Sequence, residues 1–266
     1  MYLPLPKSYK GIYPFRLATT SYIYPDHIYP NVKMLAPYLD EIELLLFESY
    51  PDGSLPSIDE IKQLSLLAEE TGIAYNVHLP IDISISDPDP SKRLQGVETI
   101  KRVLDLTSPL EPSTYTLHLP YDGHSDRGED VRKWQELISL SMEQIIGERI
   151  SGKYISIETL MYPFERVAGI LDEFDLSVCI DAGHILLQDI DIKTFYNNYV
   201  GMTSIIHLHG VQNGQDHLPL DKLPESPLIA VMEILKRFTG VVSLEVFSYE
   251  NLKRSLAFLE KCWQEL

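Results

Sequence analysis

Eight short runs rich in aliphatic and β-branched residues recur along the chain, and each is followed by a longer segment with helical patterning. The runs are FRLATT (15–20), EIELLLF (41–47), IAYNVHL (73–79), TYTLHL (114–119), KYISIET (153–159), LSVCID (176–181), TSIIHLH (203–209) and VVSLEVF (241–247). Helical patterns fall near 26–39, 57–71, 91–107, 127–149, 164–174, 190–199, 225–238 and 249–264. Start and stop signals agree with this division: Ser57 stands three residues before Glu60 as a capping pair does, and Gly72 follows the second helix. Strict strand–helix alternation forces a parallel sheet with helices outside it. Eight units suggest closure into an α/β (β/α)8 TIM barrel. An open doubly wound sheet would place a glycine-rich phosphate turn after its first strand, and ATTSYIYPDH contains no glycine.

The 266 residues suffice for one barrel domain over 1–266, with 1–14 as an N-terminal arm. Six tyrosines, Tyr2, Tyr9, Tyr13, Tyr22, Tyr24 and Tyr29, crowd this first region and are expected to pack the arm over the barrel. The net charge of −17 argues against a dedicated nucleic-acid binder and against an anionic membrane surface. Cys179 and Cys262 offer neither a disulfide framework nor a cysteine metal motif. Prolines interrupt the N-terminal stretch where a signal peptide needs its apolar core, so a cytoplasmic location is expected.

Parity along the strands sorts their side chains. In the third strand Tyr75, Val77 and Leu79 form the apolar set facing the helices, which turns Asn76 and His78 inward. The fourth repeats the phrase: Leu117 and Leu119 face out, Thr116 and His118 in. The same reasoning turns Glu158, Asp181, His207, His209 and Glu245 inward, each at the C-terminal end of its strand, where barrel enzymes keep their chemistry. One inward histidine is ordinarily a hydrogen-bonded core residue. Six consecutive strands ending this way are a cluster. So many carboxylates cannot all stay ionised side by side without compensation, and divalent cations provide it.

Two further motifs lie at the same end. CIDAGH offers Asp181 and His184, with the Ala-Gly turn bringing the second back over the mouth, and GQDHLPL offers Asp216 and His217 on a glycine-rich loop. Imidazole and carboxylate ligands suit Zn, Mn or Fe without choosing among them. The ligand count exceeds what one ion requires, so two or three divalent ions are expected.

The order of these motifs resembles the xylose isomerase-like barrel superfamily, in particular its endonuclease IV branch, over essentially the whole chain. The resemblance implies one metal on His78 and His118 with Glu158 bridging, a second on Glu158, Asp181, His207 and Glu245, and a third on His184 and His217. The family's loop reads Asp-x-His, whereas here Gln215 occupies the Asp position and Asp216 directly precedes His217. The segment 15–49 with the two His-Leu-Pro strands also resembles the cobamide-remodelling phosphodiesterases of the CbiR type, which implies a corrinoid substrate cut at its nucleotide-loop phosphodiester.

The functions expected are therefore a metal-dependent phosphodiesterase acting on a small molecule, or a single-metal sugar (phosphate) isomerase or epimerase using Glu158, Asp181, His207 and Glu245. An apurinic-site endonuclease shares the ligands but needs phosphate contacts from lysine and arginine; Lys92, Arg93, Arg127 and Lys222 read as solvated loop charges. Glu158 and Glu245 are the expected catalytic carboxylates, as bridge and as the group that orients or deprotonates water. His209 is placed to hydrogen-bond a ligand residue. Glu48 reads as a rim charge or a partner of the site, His124 as an exposed loop residue, and His27 as surface.

Overall fold

The computed structural model describes residues 2–49, 55–121, 127–147 and 150–265. In chain order the elements are β1 (Arg16–Thr20), α1 (Ile28–Leu35), β2 (Glu41–Leu45), α2 (Ile58–Thr71), β3 (Ala74–His78), α3 (Pro90–Thr107), β4 (Tyr115–Leu117), α4 (Gly128–Ile145), β5 (Ile155–Glu158), α5 (Ala168–Phe174), β6 (Ser177–Asp181), α6 (Ala182–Leu187), α7 (Ile192–Tyr199), β7 (Thr203–Leu208), β8 (Gly210–Gln212), β9 (Gln215–Leu218), α8 (Glu225–Leu235), β10 (Val241–Leu244) and α9 (Tyr249–Gln264). β1 to β7 and β10 close a parallel eight-stranded barrel, and β1 pairs with both β2 and β10. The (β/α)8 architecture expected from the alternation is the one observed.

The helices form where the patterning placed them because each buries one apolar stripe. α2 turns Ile61, Leu64 and Leu67 inward, and the Ser57–Glu60 capping box starts it. Gly72, at φ 68°, ends it in the left-handed region that glycine enters without a Cβ clash. These stripes meet the outward set of the strands, including Ile42, Leu44, Tyr75, Val77, Ile155 and Ile157, all buried. Each such side chain contributes about 1.5–3 kcal/mol on burial, so the annulus between sheet and helices is the main hydrophobic core.

The lumen is different. Barrels commonly fill it with branched aliphatic side chains, and here that role falls to a small plug of Ala18, Cys179, Ile205 and Val241. Most of the remainder is polar. Toward the N-terminal ends of the strands, Glu41 is buried beside Arg16 Nη1 at 2.9 Å, and accepts hydrogen bonds from Asn76 Nδ2 at 2.8 Å and Ser113 Oγ at 2.5 Å. Thr114, Ser156 and Ser204 form a hydroxyl chain nearby.

Three local features depart from the sequence reading. Residues 164–167 form a 3-10 turn before α5, not the start of one α-helix. The stretch after Asp181 is the first turn of α6, not a loop. The glycine-rich segment after β7 is a two-stranded antiparallel hairpin, β8–β9, because Gly214 at φ 76° and Asn213 at φ 55° make a tight reversal. The N-terminal arm, expected to pack over the barrel, runs from α9 to the turns after α1 and α2: Tyr9 N–H donates to the Tyr38 carbonyl at 2.8 Å, Lys10 Nζ to the Thr71 carbonyl at 2.9 Å and Gly11 N–H to Asp40 Oδ1 at 2.9 Å. Tyr249 Oη donates to the Pro4 carbonyl at 2.9 Å, Lys7 pairs with Glu260, and Tyr13 packs edge-on against Trp263 at 5.1 Å. No described helix is long and apolar enough to cross a membrane.

Candidate metal centre

Glu158, the last residue of β5, is the hub of the C-terminal mouth. Its Oε2 lies 3.2 Å from His78 Nε2 and 2.9 Å from His118 Nε2. His78 ends β3 and His118 stands just past β4, and the bond from Leu79 N–H to the Thr116 carbonyl, 2.9 Å, continues the ladder between them. Both imidazoles therefore face the lumen, as parity required.

The hydrogen bonds assign the tautomer of His78. Its Nδ1 lies 3.0 Å from the Leu79 carbonyl, which can only accept, so Nδ1 carries a proton. Neutral His78 then turns the Nε2 lone pair toward a carboxylate oxygen. Two acceptors at that separation are stable only if the ring gains a second proton or a cation stands with them.

His207 is fully buried, with Nε2 2.9 Å from Glu43 Oε1 and Nδ1 3.1 Å from Glu245 Oε2 and 3.6 Å from Glu158 Oε2. Neither ring nitrogen makes an aligned hydrogen bond, and Glu245 Oε2 has none either. Glu245 follows β10 and is kept in the ladder by its N–H bond to the Leu208 carbonyl at 3.2 Å.

Asp181 caps α6 by accepting the His184 N–H at 2.7 Å, which sets His184 one turn above it. His184 Nδ1 meets the Thr159 carbonyl at 2.9 Å, so its Nε2 is left to face Asp216 Oδ2 at 3.7 Å. His209 Nε2 lies 3.2 Å from both Asp181 oxygens, and its Nδ1 accepts the His217 N–H at 2.9 Å. The His217 N–H, at 2.9 Å against 3.3 Å for the Gly210 carbonyl, makes Nδ1 the acceptor, so the proton of His209 sits on Nε2 and is donated to Asp181. This is the role expected of His209, although by distance alone it groups with Asp181, His217 and Glu245 as a possible ligand. Gly183 makes the contact possible: a Cβ there would lie 2.0 Å from His209 Cε1.

Asp216 and His217 are adjacent on β9, and a regular strand would send them to opposite faces. His217 has φ 52°, which breaks the alternation. Asp216 Oδ1 consequently reaches His217 Nδ1 at 3.0 Å while Oδ2 faces His184, and His217 Nε2 lies 3.4 Å from Glu245 Oε2. Gln215 and Glu48 are exposed, so Asp216 and not Gln215 occupies the acidic position of the loop. His27 is exposed, and His124 lies outside the described residues.

Four sets of side chains bring ligand atoms within 4.8 Å of one another and could hold a metal ion: His78, His118 and Glu158; Glu158, Cys179 and His207; Glu158, Asp181 and His184; and Asp181, His209, His217 and Glu245. Of the expected ligand sets, the first two of which share Glu158, the set of His78, His118 and Glu158 groups together, whereas the other expected ligands are divided among three overlapping groups. Glu158 belongs to three of the four, and His217 reaches Glu245, so the ligand atoms form one continuous cluster. Asp181 groups with His184 instead of with His207, because its side chain leans up to cap α6.

The electrostatics are those of a centre built for cations. Burial pushes the carboxyls of Glu158 and Glu245 upward, but the imidazoles around them outweigh it and hold both well below the usual carboxylate range. Burial likewise opposes charge on His78, His207 and His209, yet the neighbouring carboxylates raise all three. His217, beside Glu245 and Asp216, is pushed up to about 9. The carboxylates that favour protons on these imidazoles would favour cations between them for the same electrostatic reason.

Glu41 and Glu43 were not anticipated. Both were legible: β2 pairs Glu43 with Asn76, already assigned inward, and alternation then turns Glu41 and Glu43 into the lumen.

Comparison with known proteins gives this geometry a family. Over 179 residues the chain is 28% identical to a probable endonuclease 4 of Acholeplasma laidlawii; the match covers 58% of this chain and 59% of that protein, under two thirds of its length. Among solved structures, a D-tagatose 3-epimerase-like protein superposes with a TM-score of 0.74 at 18% identity, covering 94% of this chain and 99% of that one. Endonuclease IV from Thermus thermophilus superposes at 0.67 with 16% identity, covering 92% and 99%. At such identities the likeness is one of fold. Residues 39–262 match the family model described as xylose isomerase-like TIM barrel, and the chain belongs to that family.

Proposed function

We propose that the protein is a metal-dependent phosphodiesterase acting on a small molecule. One observation carries this: two imidazoles from adjacent strands, His78 and His118, converge on a single oxygen of Glu158. A one-metal isomerase requires only the Glu158, Asp181, His207 and Glu245 set, whereas this pair adds a ligand group that shares Glu158 with it.

In this reading His78, His118 and Glu158 hold one divalent ion, and Glu158, Asp181, His207 and Glu245 hold another. His184, Asp216 and His217 are placed for a third, and Zn, Mn or Fe suits these donors. His207 and Glu245 Oε2 lie at ion-pair distance from their neighbours without an aligned hydrogen bond, which supports the fit, because buried polar atoms are costly unless something completes them. Bound ions would polarise the phosphodiester oxygens and lower the pKa of water near neutral pH. Glu158 anchors both ligand groups. Glu245, at the mouth, orients the attacking water and takes up its proton. His209 holds Asp181 in place through Nε2–H.

The resemblance of 15–49 to cobamide-remodelling phosphodiesterases supplies the narrower substrate, the phosphodiester of a corrinoid nucleotide loop. The −17 charge disfavours a DNA backbone. A single-metal sugar isomerase or epimerase is the second reading, favoured by the lumen-facing pair Glu158 and Glu245, which both approach Nδ1 of His207.

A metal-reconstituted hydrolysis screen with Zn²⁺, Mn²⁺ and Fe²⁺, covering adenosylcobalamin, generic phosphodiesters, abasic-site duplex and ketohexoses, tests these together. The expected result is phosphodiester cleavage with two or more ions per chain. Ketohexose epimerisation with one ion per chain at saturating metal would reject the proposal in favour of the second reading.

A further inference from the structure

Beneath the mouth lies a buried carboxylate that no expected ligand set includes. Glu43 is fully buried in β2, four strands around the sheet from β6 and two from β10. Its Oε2 accepts the Ser243 Oγ–H at 2.6 Å, and its Oε1 lies 2.9 Å from His207 Nε2. Ser243 and His207 are register partners on β10 and β7, so both face the same level of the lumen as Glu43 reaches across it. Ser243, Glu43 and His207 thus form a line from the floor of the site to its centre.

The line ends on a choice between two ring nitrogens. An imidazole that offers one nitrogen to a metal must carry its proton on the other, and a carboxylate hydrogen-bonded to that N–H fixes the tautomer, orients the ring and makes the free nitrogen more basic. Glu43 Oε1 faces Nε2 at ion-pair distance, 2.9 Å, though out of line for a full hydrogen bond, and this leaves Nδ1 as the nitrogen facing Glu158 and Glu245. We infer that Glu43, held by Ser243, is a positioning residue that presents His207 Nδ1 to the ion shared by Glu158 and Glu245. This rests on the reading of His207 as a metal ligand given above.

A second buried glutamate in the same strand shows what a purely structural role looks like. Glu41 stands one inward step below Glu43 and is matched by Arg16, Asn76 and Ser113. It has a permanent cation and two donors and touches no imidazole in these contacts. Glu43 has a serine and a histidine that itself leads to the mouth.

The test is a Co²⁺ titration followed by visible absorption, on wild type and on Glu43→Gln, Glu43→Leu, Ser243→Ala and Glu41→Gln, with folding checked by thermal melts. In Glu43→Gln and Glu43→Leu, the ion held by His207 is expected to bind about 10–100-fold more weakly, with an altered Co²⁺ spectrum. The ion on His78 and His118 should change least. Ser243→Ala should weaken the same ion by a smaller factor, and it carries the test if neither Glu43 variant folds. Glu41→Gln should leave both affinities unchanged, whatever it does to the melt. Wild-type affinities and spectrum in folded Glu43→Gln and in Ser243→Ala would overturn the inference, as would an equal loss in Glu41→Gln. The two readings fail separately: a wild type that binds two Co²⁺ ions yet cleaves no phosphodiester removes the proposed reaction and leaves the positioning role to be judged on the affinities.

Discussion

The barrel lumen buries carboxylates at both ends and compensates them in opposite ways. At the N-terminal end Glu41 has a guanidinium 2.9 Å away together with an amide and a hydroxyl. At the C-terminal end Glu158, Asp181 and Glu245 pair with imidazoles. Arginine keeps its proton throughout the working pH range. An imidazole can give its proton up and become a ligand. The first end is closed for good, whereas the second is left exchangeable between protons and metal ions.

The sharpest way to break this contrast is to remove the shared carboxylate at the exchangeable end. Glu158→Ala should lose bound metal and reduce phosphodiester hydrolysis by about 10³-fold or more, since metal ions contribute several kcal/mol of transition-state stabilisation and about 1.4 kcal/mol is a factor of ten. Metal analysis beside the rate measurement checks this, and retention of both ions would remove Glu158 as the hub. His78→Ala and His118→Ala should each lower the stoichiometry by one ion while the protein stays folded. Full activity in both variants would dissolve the two-metal argument.

Gly183→Ala should act through the His209 ring, which holds Asp181. The added Cβ would stand 2.0 Å from the His209 ring and force it off Asp181, so metal affinity is expected to fall about 10-fold or more, as it does when a ligand loses its supporting hydrogen bond. Unchanged affinity would show that His209 does not steady Asp181.

At the other end the expected change is in stability alone. Arg16→Met strands Glu41, whose carboxyl burial already holds above the ordinary range despite the arginine. Breaking a fully buried pair costs about 3–5 kcal/mol, but the Arg16 side chain is 46% exposed, so about 1–2 kcal/mol is expected, read as a lower Tm with normal metal binding. A loss of metal in this variant would mean that the two ends are not independent.

The smallest effect is the pH dependence of the metal-free protein. His217 is raised from 6.5 to about 9, so the stability from its contacts is complete below about 6.5 and is lost as pH rises through about 9. The lowered carboxyls of Glu158 and Glu245 contribute above their unfolded value of 4.5 and lose that contribution only in acid. Metal binding needs neutral imidazoles and releases protons. The Tm gap between metal-loaded and metal-free protein should therefore widen from pH 6.5 to 9. A constant gap would indicate that His217 takes no part in holding metal.

Much of this was legible in the residues. Strand–helix alternation led to the barrel, and period-two alternation turned His78, His118, Glu158, Asp181, His207 and Glu245 inward. Glu43 escaped notice because EIELLLF reads as a mostly apolar run, although the alternation that turned Asn76 inward applies to it equally. The role of Gly183 had no sequence signal, since the ring that excludes a Cβ there comes from His209, just past the neighbouring strand β7.

What the sequence determined by itself was periodic: which segments are strands, which side of each strand is polar, and at which end the polar residues gather. These follow from local sterics and side-chain chemistry, which act over a few residues. The tertiary structure alone decided which nitrogen of each imidazole is free, and that Asp216 and not Gln215 meets His184. It also decided that the ligand atoms merge into one cluster around Glu158. Those facts depend on contacts that range from the adjacent carbonyl at His78 to the Glu43–Ser243 bond 200 positions apart, and on a left-handed backbone at His217 that strand periodicity does not encode.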